Sequence, residues 1–71
     1  MEKIFVITTE DSINLDNSIS LYRDKEKAVK EFNKIVNHDI EEYEPANYER
    51  TEDSYWDWIG YYVMLFEQPI L

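Results

Sequence analysis

The chain has 71 residues, a net charge of −9, no cysteine, and an aromatic complement of two Trp, six Tyr and three Phe. A chain of this length forms a single domain, and its aromatic side chains can each bury about 150–250 Å² of a small core. The lack of cysteine excludes disulfides and thiolate metal sites and favours a reducing cytoplasm. The N-terminus has neither the basic region nor the long apolar run of a signal peptide, and no stretch is long enough to predict a membrane span.

The charge is polarised along the sequence. Residues 1–36 carry seven acidic and six basic side chains, whereas residues 37–71 carry nine acidic side chains and one basic one. Direct binding to nucleic acid or to an anionic membrane requires clustered Lys and Arg, so neither is predicted. An acidic field of this kind instead favours encounter with a basic protein surface.

Two strands are predicted before the first helix. Residues 3–9 are β-branched or aromatic almost throughout, which is typical of a strand with neighbours on both edges. Residues 10–17 are rich in turn formers and predict a hairpin loop. Residues 18–22 alternate, with Ile19 and Leu21 on one face and Tyr22 on the other, which predicts a half-buried strand antiparallel to the first.

A long helix is predicted over residues 25–43. Asp24 stands at the N-cap position, and Pro45 disfavours helical backbone at Glu44. Between them, the apolar residues recur at spacings of three and four and form one stripe, which comprises Ala28, Val29, Phe32, Ile35, Val36, Ile40 and Tyr43.

The last third of the chain predicts a loop followed by one strand. Residues 44–54 show no periodicity, and residues 55–66 are strongly β-prone, with Gly60 marking a bulge or a close backbone contact. The order β-β-α-β then predicts an α+β fold with a three-stranded antiparallel or mixed sheet of order 2-1-3 and the helix packed on one face. Tyr22, Trp56, Trp58 and alternate residues of the last strand are expected on the opposite face, exposed or buried in a dimer.

The sequence does not predict an enzyme or a cofactor. There is no cysteine nucleophile, and a single glycine cannot form a phosphate-binding loop. His38, with Glu41 and Glu42 three and four residues later, could bind a metal ion. The simpler interpretation is an exposed histidine at the negative end of the helix.

Acidic and aromatic residues are interspersed over residues 39–58, and this stretch is the predicted site. Tyr and Trp are enriched at the anchors of protein interfaces, where charged neighbours contribute orientation and association rate. The ordinary alternative is a solvated acidic surface. The predicted partner-binding residues are Asp39, Glu41, Glu42, Glu44, Tyr48, Glu49, Glu52, Asp53, Tyr55, Trp56, Asp57 and Trp58.

In size, acidity, aromatic content and lack of cysteine, the chain resembles the small acidic anti-defence proteins encoded by phages, including anti-CRISPR and anti-restriction DNA mimics. The resemblance implies a non-enzymatic inhibitor that occupies a basic groove of a nucleic-acid-handling protein, in the cytoplasm of a bacterial host cell if the chain is phage-encoded. It implies no particular fold or site, and the lysines of the helix depart from a uniformly acidic mimic. The alternative hypothesis is a small homodimeric adaptor that buries an aromatic sheet face.

Overall fold

A computed structural model describes residues 3–70 and has an α+β architecture. The elements follow the order β1 (Lys3–Asp11), β2 (Asp16–Tyr22), α1 (Lys25–Tyr43), β3 (Tyr48–Arg50), β4 (Ser54–Asp57) and β5 (Tyr61–Pro69). The strands form one five-stranded antiparallel sheet of order β2-β1-β5-β4-β3, and α1 packs across one face. The prediction of a three-stranded sheet is therefore wrong.

One of the two unpredicted strands arises because the chain reverses between Asp57 and Tyr61. One carboxylate oxygen of Asp57, Oδ1, accepts hydrogen bonds from the backbone N–H groups of Ile59, Gly60 and Tyr61 at 3.0, 3.1 and 3.1 Å. Gly60 has a φ of +102°, a region that side chains strongly disfavour. The aromatic run therefore folds into the β4–β5 hairpin, and Trp58 lies in its turn rather than on the final strand.

The other unpredicted strand, β3, lies in the segment expected to be a loop. Its short ladder with β4 is closed by Thr51, whose hydroxyl accepts from the backbone N–H of Ser54 at 3.0 Å. Arg50 ties the strand to the helix by donating to the side-chain oxygens of Asn37 and Asn33 at 2.8 and 3.0 Å. Side-chain hydrogen bonds of this kind leave no periodic apolar signal in the sequence.

The predicted helix is confirmed, with the expected boundaries. The side chain of Asp24 accepts from the backbone N–H of Glu26 at 2.9 Å, as an N-cap should. At the other end, Glu44 adopts the left-handed conformation, and its N–H donates to the carbonyl of Ile40.

The core lies between α1 and the sheet. Its fully buried members are Ile7, Phe32, Val36, Tyr55 and Val63. Tyr22 also packs against this cluster, because it pairs with Phe5 and so shares the face of Ile7. The expectation that Tyr22 lies on the opposite face is wrong, and the same register leaves Ile19 and Leu21 exposed rather than half-buried.

Candidate functional site

The sheet has one face that neither α1 nor any other described element covers, and we call it the open face. Because side chains alternate along a strand and the register fixes which residues are neighbours, each strand contributes every second residue to it. These residues are Ile4, Val6, Thr8 and Glu10 of β1, Asn17, Ile19 and Leu21 of β2, Glu49 of β3, Ser54 and Trp56 of β4, and Tyr62, Met64, Phe66 and Gln68 of β5.

The open face is apolar from its edge strand β2 to its central strand β5, and much of this area reaches solvent. Ile19 and Leu21 are 70% and 61% exposed, and Met64 is 50% exposed. Val6 is nonetheless buried, because Leu21 and Phe66 are its register partners on either side. Contiguous exposed apolar surface of this kind marks interaction sites in soluble proteins.

One end of the open face carries aromatic rings between two carboxylates, and we call this set the aromatic row. Glu49 lies opposite Trp56, Trp56 lies opposite Tyr62, and Tyr62 lies opposite Glu10 on four adjacent strands. Side chains directly opposite one another have Cβ atoms about 4.5–5.5 Å apart, so neighbouring members of the row are within contact distance. The ring of Trp58, which is 71% exposed, adds to this end at 5.1 Å from the ring of Trp56.

Three polar residues of the predicted site lie in the interior instead, between α1 and β4. The hydroxyl of Tyr55 lies 2.6 Å from Oδ2 of Asp39 and 3.0 Å from Oδ2 of Asp57, and all three residues are buried. Asp57 is well compensated, because its other oxygen accepts three backbone N–H groups. This buried triad connects the helix to the β4–β5 turn.

The hydroxyl of Tyr55 has one hydrogen and lies within hydrogen-bond distance of two carboxylates, so it cannot donate fully to both of them. A second proton on one carboxylate would complete the hydrogen bonding of the triad. Burial and the nearby carboxylate of Asp57 raise the pKa of Asp39 to about 6. Burial opposes ionisation of Asp57 as well, but hydrogen bonds from its neighbours hold the pKa of Asp57 below its usual value. Below about pH 6, protonated Asp39 can donate to the Tyr55 oxygen while Tyr55 donates to ionised Asp57, and every member of the triad then has a hydrogen-bond partner.

A cavity of about 650 Å³ lies between α1 and the β1–β2 loop. Its wall includes Asp39 together with Ile35, His38 and Tyr61. Within residues 3–70, no three His, Asp or Glu side chains are grouped so that they could hold a metal ion, and the suggested cluster of His38 with Glu41 and Glu42 is not formed. The cavity therefore offers no assembled metal centre.

The twelve predicted residues fall into separate groups. Asp39, Tyr55 and Asp57 are buried, and of these three Asp39 alone lines the cavity beside α1. Glu49 and Trp56 belong to the aromatic row, with Trp58 beside it. The remaining six are exposed at the C-terminal end of α1, on the helix side of β3 and in the β3–β4 turn, and they are Glu41, Glu42, Glu44, Tyr48, Glu52 and Asp53.

Several open-face residues were absent from the predicted site, and the sequence carried a usable signal for them. Tyr62, Met64 and Phe66 alternate along β5, and Ile19 and Leu21 alternate along β2. The two patterns are 40 residues apart and become one surface only through the pairing of β1 with both strands.

Comparison of the chain with protein-family models, with curated proteins and with solved structures found no match. Among the described residues, no helix combines the length and the apolar character required to cross a membrane.

Proposed function

We propose that this protein is a non-enzymatic binding module that presents its open face to a basic surface on another protein. The observation that carries the proposal is the composition of that face, which combines exposed apolar side chains with carboxylates. Apolar contact supplies binding free energy, and complementary charge supplies orientation and a faster association.

Charge complementarity argues for a basic partner. The charged side chains of the open face are Glu10 and Glu49, and both are exposed. Arg50, the one basic residue after position 36, is turned to the helix side by its hydrogen bonds to Asn33 and Asn37. A partner with Lys or Arg around an apolar patch therefore matches this face better than an acidic one does.

The size of the open face suits a compact interface. Strands about 4.8 Å apart make a five-stranded sheet roughly 20 Å wide, and nine-residue strands such as β1 and β5 extend about 30 Å. The face can therefore cover at most about 600 Å², near the lower end of specific interfaces, which bury about 800 Å² per partner. The aromatic row would then be an anchor within a small contact area.

Selection from a display library of random peptides tests the proposal and requires no candidate partner. Immobilised wild-type protein should enrich peptides that combine Arg or Lys with apolar residues. Met64→Lys places a positive charge at the centre of the open face and should abolish the enrichment, whereas Ala46→Lys makes the same change in net charge in the loop after α1 and should retain it. Enrichment that survives Met64→Lys, or no enrichment at all, would contradict the proposal.

We extend this proposal to a narrower one, in which the partner is a nucleic-acid-handling protein and the module inhibits it. Such proteins carry the basic grooves that an acidic face would fit, and their binding to nucleic acid is strongly salt-dependent. An array of purified nucleic-acid-binding proteins, probed with and without competing DNA or RNA, addresses this version. We expect that some of the arrayed proteins retain the module and that competing nucleic acid reduces this retention. If competing nucleic acid leaves the retention unchanged, inhibition by mimicry is contradicted.

A homodimer is the second candidate, favoured by the uncharged part of the open face that Ile19, Leu21 and Met64 expose. Sedimentation equilibrium at micromolar concentration distinguishes the two candidates. A dimer that Met64→Lys dissociates would favour self-association, while a monomer would leave the face free for a different protein.

A further inference from the structure

We propose that the aromatic row is a receptor for arginine side chains, in which each guanidinium group stacks on Trp56 or Tyr62 and pairs with the adjacent carboxylate. The inference rests on the proposed function, because it names the chemistry that anchors the basic partner.

The two rings of the row are tilted against their neighbours and partly exposed, with Trp56 half-buried and Tyr62 37% exposed. The ring of Trp56 lies 5.1 Å from that of Trp58 at 58° and 6.4 Å from that of Tyr62 at 47°. Rings tilted in this way do not cover one another as parallel stacked rings would, so a flat cation can lie against one face while touching the edge of the next ring. Trp, followed by Tyr, gives the strongest cation–π interaction.

Each of the two rings of the row lies beside a carboxylate. Glu49 is the register partner of Trp56, and Glu10 is the register partner of Tyr62. Among residues 3–70, the one ion pair joins Lys3 to Glu67, so neither Glu10 nor Glu49 is paired within the described chain. An aromatic face beside a free carboxylate matches the two ways in which a guanidinium group binds, by stacking and by forked hydrogen bonding.

The row is long enough for two cations. Its two carboxylates are separated by three register steps of about 4.5–5.5 Å each, or roughly 15 Å, which is more than one guanidinium group can bridge. The row therefore offers two neighbouring half-sites, Trp56 with Glu49 and Tyr62 with Glu10. A partner with two arginines spaced across one face would engage both.

Titration of the isotope-labelled protein with N-acetyl-arginine amide, followed by NMR, tests the inference directly. We expect saturable shifts of the indole N–H signals of Trp56 and Trp58 and of the ring signals of Tyr62. The citrulline analogue has nearly the same shape without the charge, and we expect no saturable shift with it. Equal responses to the two compounds, or arginine-induced shifts confined to other regions, would overturn the inference.

Three exposed substitutions assign the half-sites without disturbing the core. Glu49→Gln and Glu10→Gln should each weaken arginine binding about two- to fivefold at the adjacent ring, the loss expected for an exposed ion pair. Trp58→Ser should weaken binding near Trp56 by a similar factor. Glu41→Gln makes the same change in charge at the end of α1 and should not affect arginine binding. If Glu41→Gln weakens binding as much as Glu49→Gln and Glu10→Gln do, net charge alone attracts the arginine and the inference is overturned.

This inference and the proposed function fail in different ways. If the arginine compound does not bind the row but selected peptides still depend on Met64, the inference is overturned and the binding module stands. If the compound binds the row and no basic peptide is ever enriched, the receptor for arginine stands and the proposed function fails.

Discussion

At the scale of single residues, the buried triad explains why two aspartates can occupy the interior. A buried carboxylate is costly unless hydrogen bonds compensate it, and Asp57 accepts three backbone N–H groups in addition to its contact with Tyr55. Within residues 3–70, the side chain of Asp39 accepts no backbone N–H group, and it is the member of the triad that holds a proton below about pH 6. The sequence showed Asp39 and Asp57 only as two more acids of an acidic stretch.

Replacing Asp39 by Asn should remove a pH dependence of stability. The folded pKa of about 6 exceeds the ordinary value of 3.8, so the folded state holds the proton more tightly than the unfolded chain does. The resulting stabilisation is present below about pH 4 and is lost as the pH rises through about 6, a change on the order of 3 kcal/mol. Asparagine donates a hydrogen bond at every pH, so the Asp39→Asn protein should not lose this contribution.

Urea unfolding between about pH 4 and about pH 7 measures this effect as the difference between the two proteins. The advantage of Asp39→Asn should grow with increasing pH, whereas Glu42→Gln, which changes an exposed acid of the same helix end, should parallel the wild type. Asp57 does not contribute to the change between about pH 4 and about pH 7. Because its pKa is lowered, the stability that its ionised form contributes is lost only at a pH below the ordinary pKa of an aspartate. Identical pH profiles for Asp39→Asn and the wild type would refute the shared proton.

Tyr55→Phe should destabilise the protein by about 1–3 kcal/mol, because it removes the hydroxyl between two buried carboxylates. Tyr48→Phe is the matched control, since Tyr48 is exposed and its hydroxyl is absent from the observed hydrogen bonds of residues 3–70. The control should change the free energy of unfolding by no more than about 0.5 kcal/mol. Thermal or urea unfolding compares the two variants, and equal effects would show that the triad adds no stability.

At the scale of elements, the sequence predicted the helix better than the sheet. The helix could be predicted because its apolar stripe, its N-cap at Asp24 and the stop before Pro45 all lie within one continuous segment. The hairpin of β4 and β5 was missed because an unbroken aromatic run resembles a single strand. The signal that could have revealed it is the pair of Asp57 and Gly60, a turn-forming acid followed three residues later by glycine.

Gly60→Ala tests the importance of the β4–β5 turn. The glycine has a φ of +102°, and an added Cβ would lie 3.2 Å from Cβ of Ser12 in the neighbouring loop. We expect a loss of about 1–3 kcal/mol in the free energy of unfolding. Adding Ser12→Gly relieves the contact but not the backbone strain, so the double variant should recover only part of the loss. Full recovery would show that crowding alone makes glycine necessary.

At the scale of the whole molecule, a single helix on a five-stranded sheet leaves one face without a cover. The charge polarity of the sequence pointed to a basic partner, and the aromatic residues pointed to an anchored interface. Neither of these two sequence features located the binding surface, because the open face combines residues from β2 and β5 that become neighbours only through β1. The proposed contact area consequently moves from the continuous stretch 39–58 to the open face, which keeps Glu49 and Trp56 of that stretch.

NMR chemical-shift mapping with a basic peptide enriched by the wild-type protein tests most directly whether the open face is the binding surface. We predict shifts concentrated on the open face, with Leu21, Met64 and Trp56 among the largest, and their loss in Met64→Lys but not in Ala46→Lys. Shifts concentrated instead at the C-terminal end of α1, around Glu41, Glu42 and Glu44, would contradict this prediction.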